Sequence, residues 1–288
     1  MTNIAVLLTI HNRKEMTLCS LEKIHSQKGS ISGENISIFV VDDGSTDGSC
    51  LAIKEFFPTV NLIQGSGNLY WNGGMRLAFG TAMEHNFDFY LWLNDDALLF
   101  PDAIKKLLNT SVQTGNKSII VGSLQDPLSG QLTYGGLTRM HRMRKLNFSL
   151  VEPSDVSIEV ETMHGNCVLI PKVVACTVGN LDPAFAHGLG DYDYGLRARK
   201  LGYEIILAPA YFGNCQKNPL RDIWNDKSLP FSIRWKNLVS IQGLPPREWA
   251  LFAKRYAGIF WWIYWLSPYF RTFYSSLFKK PEKILNNA

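Results

Sequence analysis

The sequence has no CxxC pair, and its five cysteines, at 19, 50, 167, 176 and 215, are scattered and odd in number. This excludes a zinc-finger spacing and a closed disulfide framework, and suits a reducing compartment. No basic segment precedes the first apolar run, MTNIAVLLTIHNR, which is short and ends in polar residues. It is expected to be a first strand rather than a signal peptide. The aromatic run Tyr256–Leu266 is uncharged over 11 residues, well short of the roughly twenty that a membrane-spanning helix needs. A net charge of +4 is too small to argue for nucleic acid. There is no internal repeat and no low-complexity linker. What remains is ordinary globular composition, 46% hydrophobic and 19% charged. The length of 288 residues suits one large α/β domain with an appendage, or two small domains.

The order of apolar runs is informative. Ile4–Ile10 is a compact apolar stretch ending at His11-Asn12-Arg13, the profile of a buried parallel strand. Helical spacing follows over Glu15–Ser26, then a strand at Ile36–Val41, a helix at Ser49–Phe57 and a strand at Val60–Ile63. A glycine-rich loop containing Tyr70-Trp71-Asn72 leads to a helix over Gly74–Glu84, and an aromatic strand, Phe87–Leu93, stops at Asn94-Asp95-Asp96. Further on come a helix at Asp102–Thr114 and strands at Ser118–Gly122 and Met163–Ile170. A short helix at Gly195–Leu201 and a strand at Glu204–Ala208 complete the pattern, and the alternation stops near Trp224. The middle, 125–161, is less regular and carries a basic cluster at 141–145. Such alternation implies a mostly parallel sheet with right-handed crossovers, flanked by helices.

Ligands of open α/β sheets bind beyond the carboxyl ends of the strands. Three polar clusters occupy such ends: Thr9–Arg13, Asp42–Asp47 and Asn94–Asp96. Adjacent acidic side chains repel, and they persist mainly where a cation or hydrogen-bond donors compensate them. Asp47 suits the cap of the following helix.

VVDDGSTDG at 40–48, after a strand ending TIHNR, resembles the family-two inverting glycosyltransferases. LNDDA at 93–97 stands where that family has its DxD-type metal motif. HGNCVLIP at 164–171, LDPAF at 181–185 and GDYDYGLRARKLGY at 190–203 follow the family's acceptor-side order. The resemblance runs over roughly residues 4–210, and the ordered combination is specific, above all VVDDGSTDG.

It implies a GT-A (Rossmann-like) fold and transfer of a sugar from a nucleoside diphosphate, UDP or dTDP favoured, to a saccharide acceptor. That acceptor is expected to be lipid-linked, as for relatives that build bacterial surface polysaccharides. On the donor side it implicates Thr9, His11, Asn12, Arg13, Asp42, Asp43, Gly73, Gly74, Arg76, Asn94 and Asp95, with Asp43 for the base or ribose and Asp42 supporting it. Glycines let a backbone approach a ligand closely, and a helix N-terminus favours phosphate. Asp96 and, after it, Asp95 are implied as oxygen ligands of Mn2+ or Mg2+, which neutralises the leaving diphosphate. Inversion needs a carboxylate to take the acceptor's proton, and the resemblance gives that role to Asp191. Asp193, His164, Gly165 and His187 are placed on the acceptor side, and Arg197 is expected to be the charge partner of Asp193 four residues before it. Two departures are evident. Gly190 stands where the family usually has Glu, and Asn214 where a His often completes the metal site.

The segment from Phe231 onward holds nine Lys or Arg against two Glu, a net +7 against −3 for all that precedes it, and five of the eight Trp. Basic and aromatic residues together suit a membrane interface. The alternative is a helical hairpin broken at Ser267-Pro268 that packs on the domain or makes a dimer. The expected organisation is a GT-A domain over 1–227 and a helical, membrane-surface-associating segment over 228–288. Together they place the protein in the cytoplasm, peripheral at the inner face of the cell membrane, with no nucleic-acid partner. Three other readings carry less. A sugar-phosphate nucleotidyltransferase would have a glycine-rich basic loop where TIHNRKE stands, and a non-catalytic carbohydrate-binding or scaffold protein would be expected to have lost Asp96 or Asp191. An RNA-binding module would use a stacking sheet rather than a Trp-rich basic tail.

Overall fold

The computed structural model describes residues 2–27, 34–140, 145–218 and 223–277. Most of the basic cluster at 141–145 and the lysines at 279, 280 and 283 lie outside these residues. The chain divides into two compact units, residues 1–217 and 218–288.

The first unit runs β1 (Thr2–Ile10), α1 (Lys14–Gln27), β2 (Glu34–Asp42), α2 (Ser49–Phe56), β3 (Asn61–Gln64), α3 (Tyr70–Met83) and β4 (Phe89–Leu93). Then come β5 (Leu98–Leu99), α4 (Ala103–Gln113), β6 (Ile119–Gln125), β7 (Leu132–Tyr134), β8 (Gly136–Arg139), β9 (Phe148–Leu150), β10 (Ile158–Val160) and β11 (Thr162–Met163). It closes with β12 (Cys167–Pro171), α5 (Lys172–Val178), α6 (Gly190–Lys200) and β13 (Ile205–Asn214). The main sheet has the order β10-β13-β6-β12-β4-β1-β2-β3, and a small second sheet has the order β11-β8-β9. β1 pairs in parallel with both β2 and β4, and β2 with β3, while β12 runs antiparallel between β4 and β6.

Alternation along β1 explains the layers. Ile4, Val6, Leu8 and Ile10 pack with α1, α2 and α4 on one face. Ala5 and Leu7 pack with α3, α5 and α6 on the other. Successive strand side chains point to opposite faces, so a strand covered on both reads as a continuous apolar run. β4 is buried along its whole length, with Trp92 and Leu93 inaccessible.

This topology gathers the polar clusters. Ile10 pairs with Asp42 and Asp42 with Gln64, so β1, β2 and β3 end together. β12 is antiparallel to β4, so its first residue, Cys167, lies beside Leu93 at the end of β4. β13 is parallel to β6, and its last residues reach the same edge.

Several element boundaries differ from the sequence reading. α3 starts at Tyr70, not Gly74, because Asp43 accepts hydrogen bonds from the amides of Leu69 and Tyr70 and so satisfies the helix start from another strand. α6 starts at Gly190, not Gly195, after Leu189 in a left-handed conformation (φ 68°). The run expected as one strand over 163–170 is two strands in different sheets, separated by His164-Gly165-Asn166.

Asp47 serves two helices. Its Oδ2 accepts from the Lys14 amide at the start of α1, 2.8 Å away, and its Oδ1 from the Ser49 amide at the start of α2, 3.0 Å away. These bonds hold its carboxyl below the usual carboxylate range, with the Ser49 side chain the largest cause.

The second unit holds α7 (Phe231–Val239), α8 (Pro246–Tyr256) and α9 (Trp261–Leu277) after a short 3-10 turn at Ile223–Asn225. The hairpin break expected at Ser267-Pro268 does not occur, since Pro268 lies inside α9. Contacts on both sides of the proline keep the helix continuous against its cost. Trp265 Nε1 donates to the Pro246 carbonyl and the Tyr269 hydroxyl to the Leu244 carbonyl, while Phe273 meets Phe231 edge-on. Among the described residues no helix is long and apolar enough to cross a membrane.

Losing a side-chain cap costs about 1 kcal/mol per helix. Asp47→Ala is therefore expected to lower stability by about 1–2 kcal/mol in urea unfolding and Asp47→Asn by less than half as much; equal losses would show that the double cap does not matter.

Candidate active site

The end of β1 is fixed to the loop after β2. Asn12 adopts φ 51°, its amide donates to Ser45 Oγ (2.9 Å) and its Oδ1 accepts from the Thr46 amide (2.7 Å). His11 Nδ1 donates to the Asp43 carbonyl at 2.8 Å and its Nε2 accepts from Asn12 Nδ2. Thr9, on the last turn of β1, receives α3: a Cβ added to Gly74 would lie 2.7 Å from Thr9 Cβ, so only glycine lets the helix come this close. Gly73 packs on Leu69 in the same first turn.

The two aspartates of the DDGS stretch do different things. Asp42 is inaccessible, and its Oδ1 accepts from the Ser45 amide while its Oδ2 accepts from the Cys50 thiol. Asp43, 5% exposed, accepts three backbone amides: Gly67 at 2.7 Å, Leu69 at 2.8 Å and Tyr70 at 3.0 Å. Its role in this structure is to hold the glycine-rich loop and the start of α3.

Asn94, Asp95 and Asp96 follow β4. Arg13 Nη1 bridges the acidic pair, 3.1 Å from Asp95 Oδ1 and 2.8 Å from Asp96 Oδ2. Burial, and then the charge of Asp96, push the Asp95 carboxyl up to about 7, against the pull of Arg13. The other oxygen of Asp96 accepts from the buried Cys215 thiol at 3.3 Å. Thus Cys215, rather than Asn214, is the residue after β13 that reaches the acidic pair. Among the described residues no three His, Cys, Asp or Glu form a metal cage. Two adjacent carboxylates nevertheless fit a hard divalent cation, which commonly takes one or two carboxylates with phosphate oxygens and water. In this structure the positive charge beside both carboxylates is the Arg13 guanidinium.

Asn94, Gly165 and Asp191 are brought together through Trp71. Its Nε1 donates to Asn94 Oδ1 at 2.7 Å, and its ring covers Gly165, where an added Cβ would lie 2.5 Å from Trp71 Cζ2. The Gly165 amide donates to Asp191 Oδ2 at 3.0 Å. Asp191, partly exposed in the first turn of α6, also accepts from the Tyr192 amide. One chain of contacts therefore runs from the acidic pair through Asn94, Trp71 and Gly165 to Asp191.

The remaining expected residues lie farther back. Asp193 has no accessible surface and pairs with Arg197 at 2.8 Å, which itself donates to the Val178 and Asn180 carbonyls. This ion pair ties α5 to α6, and a side chain so enclosed cannot touch an acceptor. His164 is buried between Tyr134 and Tyr192 and shares a hydrogen bond with the Tyr192 hydroxyl. His187 is partly buried in the loop before α6. The Arg76 guanidinium makes no hydrogen bond or ion pair among the described residues, and the Arg76 carbonyl accepts from Asn180. Trp71, Asn72 and Cys215 are the positions that strand-end reasoning missed. The only signal was a large aromatic and an amide set among glycines.

Asn72 explains the glycine at 190. It is inaccessible, its Nδ2 donates to the Asp182 and Phe185 carbonyls at 3.0 and 2.6 Å, and its amide donates to the Ala186 carbonyl. A Cβ on Gly190 would lie 2.5 Å from Asn72 Cγ and closer still to Oδ1. No glutamate can stand there while Asn72 holds the loop.

Against this geometry, a family model, Glycosyl transferase family 2, matches residues 5–170. The chain belongs to glycosyl transferase family 2. An uncharacterized glycosyltransferase of Rickettsia typhi is 28% identical over 167 residues, 56% of this chain and 48% of the relative. The N-acetylglucosaminyl-diphospho-decaprenol L-rhamnosyltransferase of Mycobacterium tuberculosis is 22% identical over 213 residues, 61% of this chain and 64% of the relative. The chain thus matches less than two-thirds of the length of either curated relative.

Two solved structures share the fold. S. aureus TarS 1–349 in complex with UDP has a TM-score of 0.55 at 10% identity, over 88% of this chain and 70% of that one. The Pyrobaculum calidifontis mannosyltransferase PcManGT, in complex with GDP-Man and Mn2+, has a TM-score of 0.50 at 16% identity, over 74% of this chain and 56% of that one. At these identities the likeness is one of fold, the GT-A fold with C-terminal helices.

Overpacking costs about 1–3 kcal/mol. Gly190→Ala should destabilise by that amount, as should Asn72→Ala, which removes the side-chain hydrogen bonds to the Asp182 and Phe185 carbonyls. The double variant should be more stable than the sum predicts by about 1 kcal/mol or more, because truncating Asn72 makes room at 190. Additive losses in urea unfolding would mean the two positions do not compete for space.

Proposed function

We propose that this chain is an inverting glycosyltransferase that moves a hexose or similar sugar from a nucleoside-diphosphate sugar to a lipid-linked saccharide in surface-glycan synthesis. The observation that carries the reading is the contact path between two carboxylate sites, the Asp95–Asp96 pair and Asp191, through Trp71. Donor and acceptor chemistry need such a pair of sites a short distance apart on one rigid sheet edge.

Asp191 Oδ atoms would accept the acceptor hydroxyl's proton as its oxygen attacks the anomeric carbon. The bond from that carbon to the diphosphate oxygen breaks on the opposite face, and the nucleoside diphosphate leaves. The Gly165 amide on Asp191 Oδ2 keeps the carboxylate oriented. Arg13, half exposed beside the acidic pair, supplies positive charge for the diphosphate. Asp96 and Asp95 would hold Mn2+ or Mg2+, which supplies charge neutralisation to the leaving group when bound. Uracil and thymine both present an N3–H donor, and UDP in the TarS structure and the lipid-linked acceptor named for the mycobacterial relative support a UDP or dTDP donor and an acceptor of that class.

The second unit supports membrane-surface association at the cytoplasmic face. Its accessible surface carries Phe260, Trp262, Ile263, Phe270 and Phe273, each at least half exposed apart from Ile263 at 49%, together with exposed Lys254 and Arg271. Aromatic groups favour the interfacial region, and cations anionic headgroups.

Binding and hydrolysis of UDP-, dTDP- and GDP-sugars, with and without Mn2+, test the donor reading. One donor is expected to bind in a metal-dependent way. Asp96→Ala should weaken it by tenfold or more, and Asp191→Asn should keep donor binding while losing transfer by about a thousandfold, near the range of acid–base catalysis. No donor binding by the folded protein in either metal state would sink the reading in favour of a non-catalytic scaffold. For the second unit, pelleting with phosphatidylglycerol vesicles should fall severalfold on Trp262→Glu with Ile263→Glu; unchanged pelleting would remove that surface from the membrane contact.

A further inference from the structure

Arg13 is the residue whose placement carries most beyond the donor-site reading, on which the following rests. Its backbone is the start of α1, where the Arg13 carbonyl accepts from the Thr17 amide, and the preceding Asn12 is bound to the loop after β2. Its side chain crosses to residues more than eighty positions later and places a single nitrogen, Nη1, on both carboxylates of the acidic pair. That nitrogen occupies the same two carboxylates that would hold a divalent cation. The guanidinium has five N–H donors, and the Arg13 side chain is 49% exposed. The rest of the fork is therefore open to phosphate oxygens arriving from solvent.

We propose that Arg13 is an exchangeable counter-ion which makes metal binding conditional on the nucleoside diphosphate. Without donor, Arg13 neutralises Asp95 and Asp96, and a metal ion must displace a charge-assisted contact to enter. When the diphosphate arrives, its oxygens offer the guanidinium an equivalent bidentate partner, and Arg13 releases the carboxylates as the metal takes them. No bond is made or broken covalently; one cation replaces another on the same two oxygens. The two affinities are then coupled, and linkage requires each ligand to strengthen the other by the same factor. Cys215 supports the exchange by holding the other oxygen of Asp96, so the carboxylate keeps its orientation when Arg13 departs.

The test measures Mn2+ binding by electron paramagnetic resonance at pH 8, with Mn2+ alone and with saturating UDP, dTDP or GDP. Full-length wild type, Arg13→Gln and Arg13→Lys are compared, with folding checked by circular dichroism. Wild type is expected to bind Mn2+ weakly alone and at least tenfold more tightly with the effective nucleotide. Arg13→Gln should bind Mn2+ alone at least tenfold more tightly than wild type and lose most of the nucleotide coupling. Arg13→Lys, which keeps a cation, should stay near wild type when alone. If Arg13→Gln leaves Mn2+ affinity unchanged or lowers it while wild type still binds Mn2+ with nucleotide, the counter-ion role is overturned and the donor reading stands. If glutamine and lysine have the same effect, charge is not the cause and the proposal also fails. Wild type that binds nucleotide but no Mn2+ in its presence overturns both the metal role and the exchange.

Discussion

Asp43 accepting three backbone amides is the interaction on which the site's geometry depends. A carboxylate at the end of β2 receives Gly67, Leu69 and Tyr70, so the glycine-rich loop is wrapped around it and α3 starts at Tyr70. Each charge-assisted bond is stronger than a neutral one, and a helix start favours a negative charge. Moving the helix start by one turn would rotate Trp71 and Asn72 off their partners. With it fixed, Trp71 reaches Asn94 and roofs Gly165, and Asn72 reaches the carbonyls of the loop that leads into α6. The DDGS stretch thereby sets the position of Asp191 through neutral side chains and backbone.

Accessibility separates the acidic residues at the sheet edge. Asp42 and Asp193 have no accessible surface at all and Asp43 has little, and protein donors engage the oxygens of all three. Asp96 and Asp191 keep accessible surface at the sheet edge. Asp95 lies between these classes. Buried beside another carboxylate, it is raised to about 7 and relies on Arg13 for its charge. A buried carboxylate near a like charge gains most from a cation beside it, and Arg13 is the cation seated there.

Much of this was legible in the sequence, for identifiable reasons. Parallel strands covered on both faces leave unbroken apolar runs, so β1, β2 and β4 stood out, and their carboxyl ends located Arg13, Asp43 and Asp96. The i,i+4 spacing of Asp193 and Arg197 gave their ion pair. Helix starts were less legible. α3 and α6 both begin on tertiary terms, one on Asp43 and the other after a left-handed leucine, and neither has a local capping side chain. Pro268 read as a break because its compensation comes from Pro246, Leu244 and Phe231, remote in sequence. Which of two adjacent aspartates faces a loop and which faces a ligand depends on side-chain direction. Spacing does not contain that information, and Cys215 beside Asp96 was hidden for the same reason.

The glycine at 190 shows how such a departure should be understood. Seen alone, the missing glutamate looks like the loss of an acidic group from the acceptor side. In the structure the space is filled, because Asn72 enters it from α3 and anchors the loop over 182–186 with three hydrogen bonds. Any side chain at 190 would put its Cβ against the amide's own oxygen, which has no hydrogen-bond partner among the described residues. The two residues are alternative solutions to one volume, so the surroundings of Asp191 hold one carboxylate fewer while Asn72 fastens the loop over 182–186. An acceptor presenting an apolar or neutral face at that point loses nothing by it, whereas one bound through a hydroxyl to a second carboxylate would leave that hydroxyl unpaired, at a cost of about 1–3 kcal/mol.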